Sequence, residues 1–110
     1  MLLSLNINEK LPYYAVIFSS VRKDQDHERY NKTVVELKKS VFEQPGFLGF
    51  DTAHDLNIGI TVSYWKDLKS IKDWKNHVDH LKAQKLGNEN WYRYYSIRVC
   101  KVERSYACHL

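Results

Sequence analysis

The 110-residue chain is poor in the residues that staple or break a backbone, with two cysteines, two prolines and four glycines. Cys100 and Cys108 stand eight apart, and no CxxC pair or zinc-ligand spacing exists, so neither a disulfide framework nor a structural zinc site is expected. Nothing in the composition suits a collagen-like or low-complexity chain. No run approaches the roughly 18 consecutive apolar residues that a membrane span requires. The lead Met1-Leu2-Leu3-Ser4-Leu5-Asn6 is too short and lacks the basic residues of a signal peptide, so a cytoplasmic protein without membrane attachment is the expectation. The formal charge of +4 comes partly from Lys66, Lys69, Lys72 and Lys75, which interleave with Asp67 and Asp73. That pattern reads as a solvated helix face, and no nucleic-acid partner is expected. What the chain has in plenty is rings: eight Tyr, three Trp and four Phe. With 44% apolar and 27% charged residues, it should fold as one domain spanning residues 1–110, its core about 12–106.

Tyr13-Tyr14-Ala15-Val16-Ile17-Phe18-Ser19-Ser20-Val21 is rich in β-branched and aromatic residues and reads as a first strand. Asp24 or Asp26 can cap a helix whose apolar positions Tyr30, Val34, Leu37 and Val41 recur at helical spacing until Gln44-Pro45-Gly46 stops it. Phe47 to His54 and Ile58 to Trp65 alternate as two strands around the polar break Asp55-Leu56-Asn57. From Asp67, the residues Leu68, Ile71, Trp74, Val78 and Leu81 mark one face of a second helix, with Gly87 as its stop. Asn88 to Trp91 reads as a connector, Tyr92 to Val102 as the last strand, and Ser105 to Leu110 as a fraying tail. The order β-α-β-β-α-β predicts a ferredoxin-like α+β fold, an antiparallel sheet with two helices on one face.

The first strand carries Tyr14, Val16 and Phe18 on one side and Tyr13, Ala15 and Ile17 on the other, so both faces of the sheet require cover. Two helices cover one face. A second copy of the chain placed sheet to sheet covers the other economically, the alternative being that the lead or tail does so.

Gly59-Ile60-Thr61-Val62-Ser63-Tyr64-Trp65, then Trp74-Lys75-Asn76-His77-Val78-Asp79-His80-Leu81-Lys82-Ala83-Gln84, then Trp91-Tyr92-Arg93-Tyr94-Tyr95 and Arg98-Val99-Cys100-Lys101-Val102-Glu103-Arg104 resemble the antibiotic biosynthesis monooxygenase (ABM) family over roughly residues 12 to 106. Pro45-Gly46-Phe47-Leu48-Gly49-Phe50 fits that family's Pro-Gly turn before the second strand. The resemblance implies a dimeric α+β barrel, a homodimer with a small-molecule cavity between sheet and helices in each subunit. Characterised members include oxygenases that oxidise polycyclic phenols or quinols with O2 and no metal or flavin, and heme-degrading enzymes. Fold is implied more firmly than activity.

His77 and His80, three apart on the second helix and beside the Trp74 stripe, are the candidate catalytic residues. A neutral imidazole beside an aromatic cavity can take a phenolic proton and leave an electron-rich anion that reacts with O2. The alternatives are histidines that tie the helix to its surroundings, or a metal pair with Asp73 or His54, for which spacing supplies no full ligand set. Trp65, Trp74 and Trp91, with Tyr64, Tyr92, Tyr94 and Tyr95, can line a slot that stacks on an aromatic ligand, or can be core and interface anchors. Arg98 can stabilise an enolate or phenolate if it points inward, or pair with Glu103 or Glu36. The heme-degrading relatives place an axial histidine ten residues after the helix tryptophan; here that position is Gln84, and their first-strand asparagine has no counterpart in Tyr13 to Val21. Heme is then left to His77 or His80 in another geometry, and no resident cofactor is expected. The expected activity is oxygenation of a small aromatic or quinol-like molecule. The alternatives are ligand binding without turnover, or a structural dimer whose cavity is filled by its own rings.

Overall fold

A computed structural model describes Ile7 and residues 9–108; the lead Met1 to Asn6, on which the signal-peptide expectation rests, lies outside the described residues, as do Asn8, His109 and Leu110. The elements run β1 (Tyr13–Arg22), α1 (His27–Phe42), β2 (Phe47–Asp55), β3 (Ile58–Trp65), α2 (Leu68–Lys75), α3 (Val78–Leu86), a π-helical turn (Gly87–Trp91) and β4 (Tyr92–Val102). The four strands form one antiparallel sheet in the order β2-β3-β1-β4, the ferredoxin-like arrangement.

Register divides the sheet into two faces, because directly paired residues in an antiparallel ladder point the same way. Tyr14 pairs with Trp65 and Lys101, Val16 with Ser63 and Val99, and Phe18 with Thr61 and Ile97. This face meets the helices, for Trp65 stacks on Trp74 of α2 and Phe42 of α1 contacts both Phe47 and Phe50. Phe47 adds an edge-on contact with Trp65, whose side chain is only 1% exposed. Each fully buried ring of this size contributes roughly 1.5–3 kcal/mol, so this cluster anchors the β2–β3 half of the sheet. The opposite face carries Tyr13, Ala15, Ile17, Val62, Tyr64 and Cys100, with Ile60 left 48% exposed and Ile58 and Tyr94 exposed beside it. Cys100 and Cys108 are both free thiols.

Three local readings change. Asp26 does occupy the N-cap position of α1, but at φ 59° its side chain caps nothing in the helix. Its carboxylate accepts instead from the Trp91 indole Nε1–H (2.8 Å) and Arg29 Nε–H (2.7 Å). The second helix is two helices. Asn76 leaves the helical region, His77 is extended at φ −65°, ψ 140°, and α3 restarts from it, which turns the expected stripe outward: Val78 is 71% exposed and Leu81 is exposed too. Gly87 does not stop the chain either, since its φ of −62° is helical and the backbone runs on into the π turn. Its glycine identity answers a packing need, because a Cβ there would lie 2.7 Å from the Tyr92 ring.

Candidate functional site

α2 begins at Asp67, whose carboxylate accepts from the Ser70 backbone N–H (2.8 Å) and thereby fixes the helix that carries Trp74. The buried Trp74 indole packs on Trp65 inside and on two imidazoles: the His80 ring lies stacked 5.0 Å away and the His77 ring 5.2 Å away. His77, His80, Trp74 and Trp65 therefore form one column of rings at the joint between α2 and α3.

Hydrogen bonds assign the tautomers of both imidazoles. The Gln84 amide nitrogen donates to the Lys75 carbonyl (3.1 Å), which fixes the amide's orientation, so the same nitrogen faces a His80 Nδ1 that accepts (3.1 Å). The Asp79 backbone N–H donates to His77 Nδ1 (3.2 Å), an imidazole acting as helix N-cap. Both rings thus turn a lone pair toward the protein. Burial pushes the His80 imidazole below the ordinary 6.5, and the neighbouring His77 and Lys75 act the same way, against the carbonyls of Lys75 and Trp74. The ring is held neutral.

The other expected site residues are dispersed. Trp91, 2% exposed, meets Tyr30 edge-on (5.2 Å), and its carbonyl accepts from Lys23 N–H (2.7 Å). Trp65 pairs with Tyr14 at the start of β1, so Trp91 lies about 30 Å along the strand from the Trp74 column. Tyr64 points to the opposite face, where its hydroxyl donates to Asp51 (2.7 Å) and its ring meets Tyr13. Arg98 and Tyr94 are on that face as well; Arg98 pairs in register with Ile17, is exposed, and donates to the Ser96 hydroxyl (3.0 Å), joining neither Glu103 nor Glu36. Asp73 binds Lys69 (2.9 Å), and His54 sits opposite Gly59 at the far end of β2 from Trp65. Among the described residues no three His, Cys, Asp or Glu side chains converge on a metal position.

The helical face also holds a surface where two of the slot residues expected from sequence, Tyr92 and Tyr95, meet Phe18, Ile97 and Val99, which the sequence did not mark as a site. Beyond α1 and α2, its β1–β4 half bears Phe18 stacked on Tyr95 (5.5 Å), Tyr92 edge-on to Phe18 (5.4 Å), and Ile97 and Val99, 54% and 51% exposed. At its end the Arg22 guanidinium lies 3.5 Å over the Tyr30 ring and reaches His27 Nδ1 (3.3 Å), while His27 Nε2 bonds Asp24 (2.8 Å). The Tyr95 hydroxyl donates to Asn88 of the π turn (2.7 Å), and burial together with Tyr30 holds the Tyr92 hydroxyl well above the usual phenol range. For Phe18, Ile97 and Val99 the sequence signal is the alternation of β1 and β4, whose phase sequence leaves open.

The family model for antibiotic biosynthesis monooxygenases matches residues 12–86, which includes β1 through α3 and the whole ring column. The chain belongs to that family. The uncharacterized protein YqjZ of Bacillus subtilis (strain 168) is 43% identical over 94 residues, 84% of this chain and 82% of YqjZ. A conserved protein from Methanosarcina mazei Go1 has the same fold at TM-score 0.73, with 14% identity, covering 82% of this chain and 92% of its own. SnoaB from Streptomyces nogalater, a cofactor-independent oxygenase solved as a point mutant, matches at TM-score 0.71 with 8% identity, over 84% of this chain and 95% of SnoaB. In this ABM-family chain the position counted for an axial heme ligand, Gln84, is engaged with His80 and Lys75, and a carboxamide is a poor ligand for iron. The residues there do not fit heme held in that manner.

Proposed function

We propose that this ABM-family protein is a small-molecule monooxygenase that seats an aromatic, quinol-like molecule on the helical side of its sheet and oxidises it with O2, without metal or flavin. The observation that carries the reading is the strip of half-buried Phe18 with exposed Tyr95, Ile97 and Val99, which begins one same-face step along β1 from the Tyr14–Trp65 pair and is closed at its end by Tyr92, Asn88 and Arg22. A flat ring stacks on such a surface and a hydroxyl finds donors at its rim. For an anthrone-like substrate, the methylene carbon between the two aryl rings gives up both hydrogens and takes one atom of O2 to become a ketone. The other oxygen atom leaves with those two hydrogens as water, so the substrate's own C–H bonds supply the reducing electrons. His77 and His80 are the proposed contacts for the acidic hydrogen. Either takes a proton by giving up its present donor, Asp79 N–H or the Gln84 amide.

Oxygen-electrode assays with a panel of anthrone-like and quinol compounds test this. Uptake above that of the His77→Ala, His80→Ala double variant is expected; uptake no greater than that variant's sinks it. The engaged lone pairs favour a second reading, binding without turnover, which tight ligand binding with no oxygen uptake would select. The protein is further proposed to act as a homodimer, the second copy covering Ile58, Ile60 and Tyr94 on the open face. Sedimentation as a lone subunit at micromolar concentration would refute that.

A further inference from the structure

We infer that the α2–α3 joint is an acid-sensitive hinge, in which protonation of His77 withdraws the cap of α3 and draws Asp79 away from α1. Little else holds α3. None of its residues is fully buried, the His80 ring being covered chiefly by Trp74, and its main contacts are with α1, α2 and the π turn, not with the sheet. Its specific ties are few. His77 Nδ1 accepts from Asp79 N–H, the Ser40 hydroxyl of α1 donates to the Asp79 carboxylate, and Gln84 bridges the Lys75 carbonyl and His80 Nδ1. Most of these run through an imidazole nitrogen or through Asp79.

A protonated Nδ1 is a donor, so a charged His77 faces the Asp79 N–H with a hydrogen of its own, and a charged His80 faces the Gln84 amide in the same way. His80 stands in the first turn of α3, where the helix dipole disfavours positive charge. Lys75 on α2 adds to that opposition at His80, while Lys82 of α3 and Lys39 and Glu36 of α1 line one cleft with Asp79. A close compensation is the Asp79 carboxylate, 3.9 Å from His77 Nδ1. The same Oδ2 accepts from the Ser40 hydroxyl, so closing its remaining distance to Nδ1 draws it from Ser40 and loosens α3 from α1. The Trp74 indole holds an imidazolium against its face, so the ring column stays together and the helix yields. Opening widens the cleft of about 270 Å3 lined by Thr33, Leu37, Ser40, Asp79 and Lys82.

The test is an NMR titration of the full chain from pH 8 to 5, following the His77 ring and the Asp79 amide, together with hydrogen-exchange protection factors for Val78–Leu86. The Asp79 amide proton should move upfield with the His77 midpoint, and α3 protection should fall about fivefold, the factor carried by one lost cap bond, while β1 and β3 hold. His77→Asn caps without titrating and should keep α3 protection flat. An Asp79 amide that ignores the His77 titration overturns the hinge, as does an equal loss of protection in His77→Asn. If that variant does not fold, the wild-type titration alone decides.

Discussion

Replacing Gly46 by Ala isolates how the Pro-Gly turn before β2 is locked to the start of α2. Gly46 has φ +82°, and a Cβ placed on it would run into Ser70 Oγ and lie 2.8 Å from Ser70 Cβ. Ser70 cannot simply rotate away. Its hydroxyl and backbone N–H both donate to Asp67 Oδ1, at 2.7 and 2.8 Å, and that carboxylate caps the helix bearing Trp74. The turn is tied from the other side as well, since Gly46 carbonyl accepts from Lys66 N–H at 2.7 Å. A left-handed alanine costs roughly 1–2 kcal/mol, and overpacking about 1–3 kcal/mol more. Loss of glycine's freedom in the unfolded chain returns about 0.4–1 kcal/mol. The net expectation is about 1–4.5 kcal/mol of destabilisation.

Urea unfolding reads this directly, as a fall in midpoint of about 0.5–2 M with unchanged slope for a domain of this size. The steric share is separable. In a Ser70→Gly background the obstructing Cβ and Oγ are gone, so the cost of Gly46→Ala should fall to the backbone part, about 1 kcal/mol, and the double-mutant cycle should show coupling of roughly 1–3 kcal/mol. Equal costs in both backgrounds, or a cost below about 0.5 kcal/mol, would refute the reasoning, because surface changes free of strain stay within that range.

Trp91→Phe removes the largest cause holding Asp26 below the ordinary 3.8, so the carboxylate should titrate closer to that value by NMR. A depressed carboxylate adds stability above its unfolded pKa that is lost as pH falls through the folded one, so the variant should show a weaker acid dependence below about pH 4. His80 works in the same sense: its folded pKa lies below 6.5, its contribution is complete above that pH and is lost as pH falls through the folded value, and His80→Gln should flatten the urea midpoint over that interval. Ile60→Glu puts a charge on the open face and, on the proposed homodimer, should shift sedimentation to a single subunit while leaving far-UV circular dichroism unchanged.

The strands and α1 were legible because their signals are local. β1 is a run of β-branched and aromatic residues, and α1 repeats an apolar residue at every third or fourth place. The break between α2 and α3 was not, because Leu68, Ile71, Trp74, Val78 and Leu81 satisfy one continuous helix period and His77 is not among the usual capping residues. Only the fold shows an imidazole nitrogen receiving the Asp79 N–H. Trp91 and Asp26 meet across 65 positions, a separation at which no sequence pattern reports contact. The rings were legible as a count and illegible as a site, since sheet register sends Trp65 and Tyr64 to opposite faces and separates Trp91 from Trp74 along the length of β1.

The same alternation decides which charge can meet a ligand. In Ile97-Arg98-Val99, period two puts Arg98 on one face and both aliphatic residues on the other, but exposed residues occur in both sets, so the run itself does not say which face is which. Pairing settles it: Phe18 opposite Ile97 commits Ile97 and Val99 to the helical side, and Arg98 to the face where Ser96 receives its guanidinium. A phenolate bound on the helical side would therefore rest on an aliphatic and aromatic floor, with Arg98 on the far side of the sheet. The β1 and β4 cations that share its side stand at the two ends of the strip. Lys101 lies opposite Tyr14 at one end, and Arg22 at the other is stacked on Tyr30 and restrained by the His27–Asp24 pair. A negative charge on the floor thus finds its counter-charge at an end and not along the middle, which favours a ligand whose acidic oxygen lies at its edge and whose remaining rings are apolar.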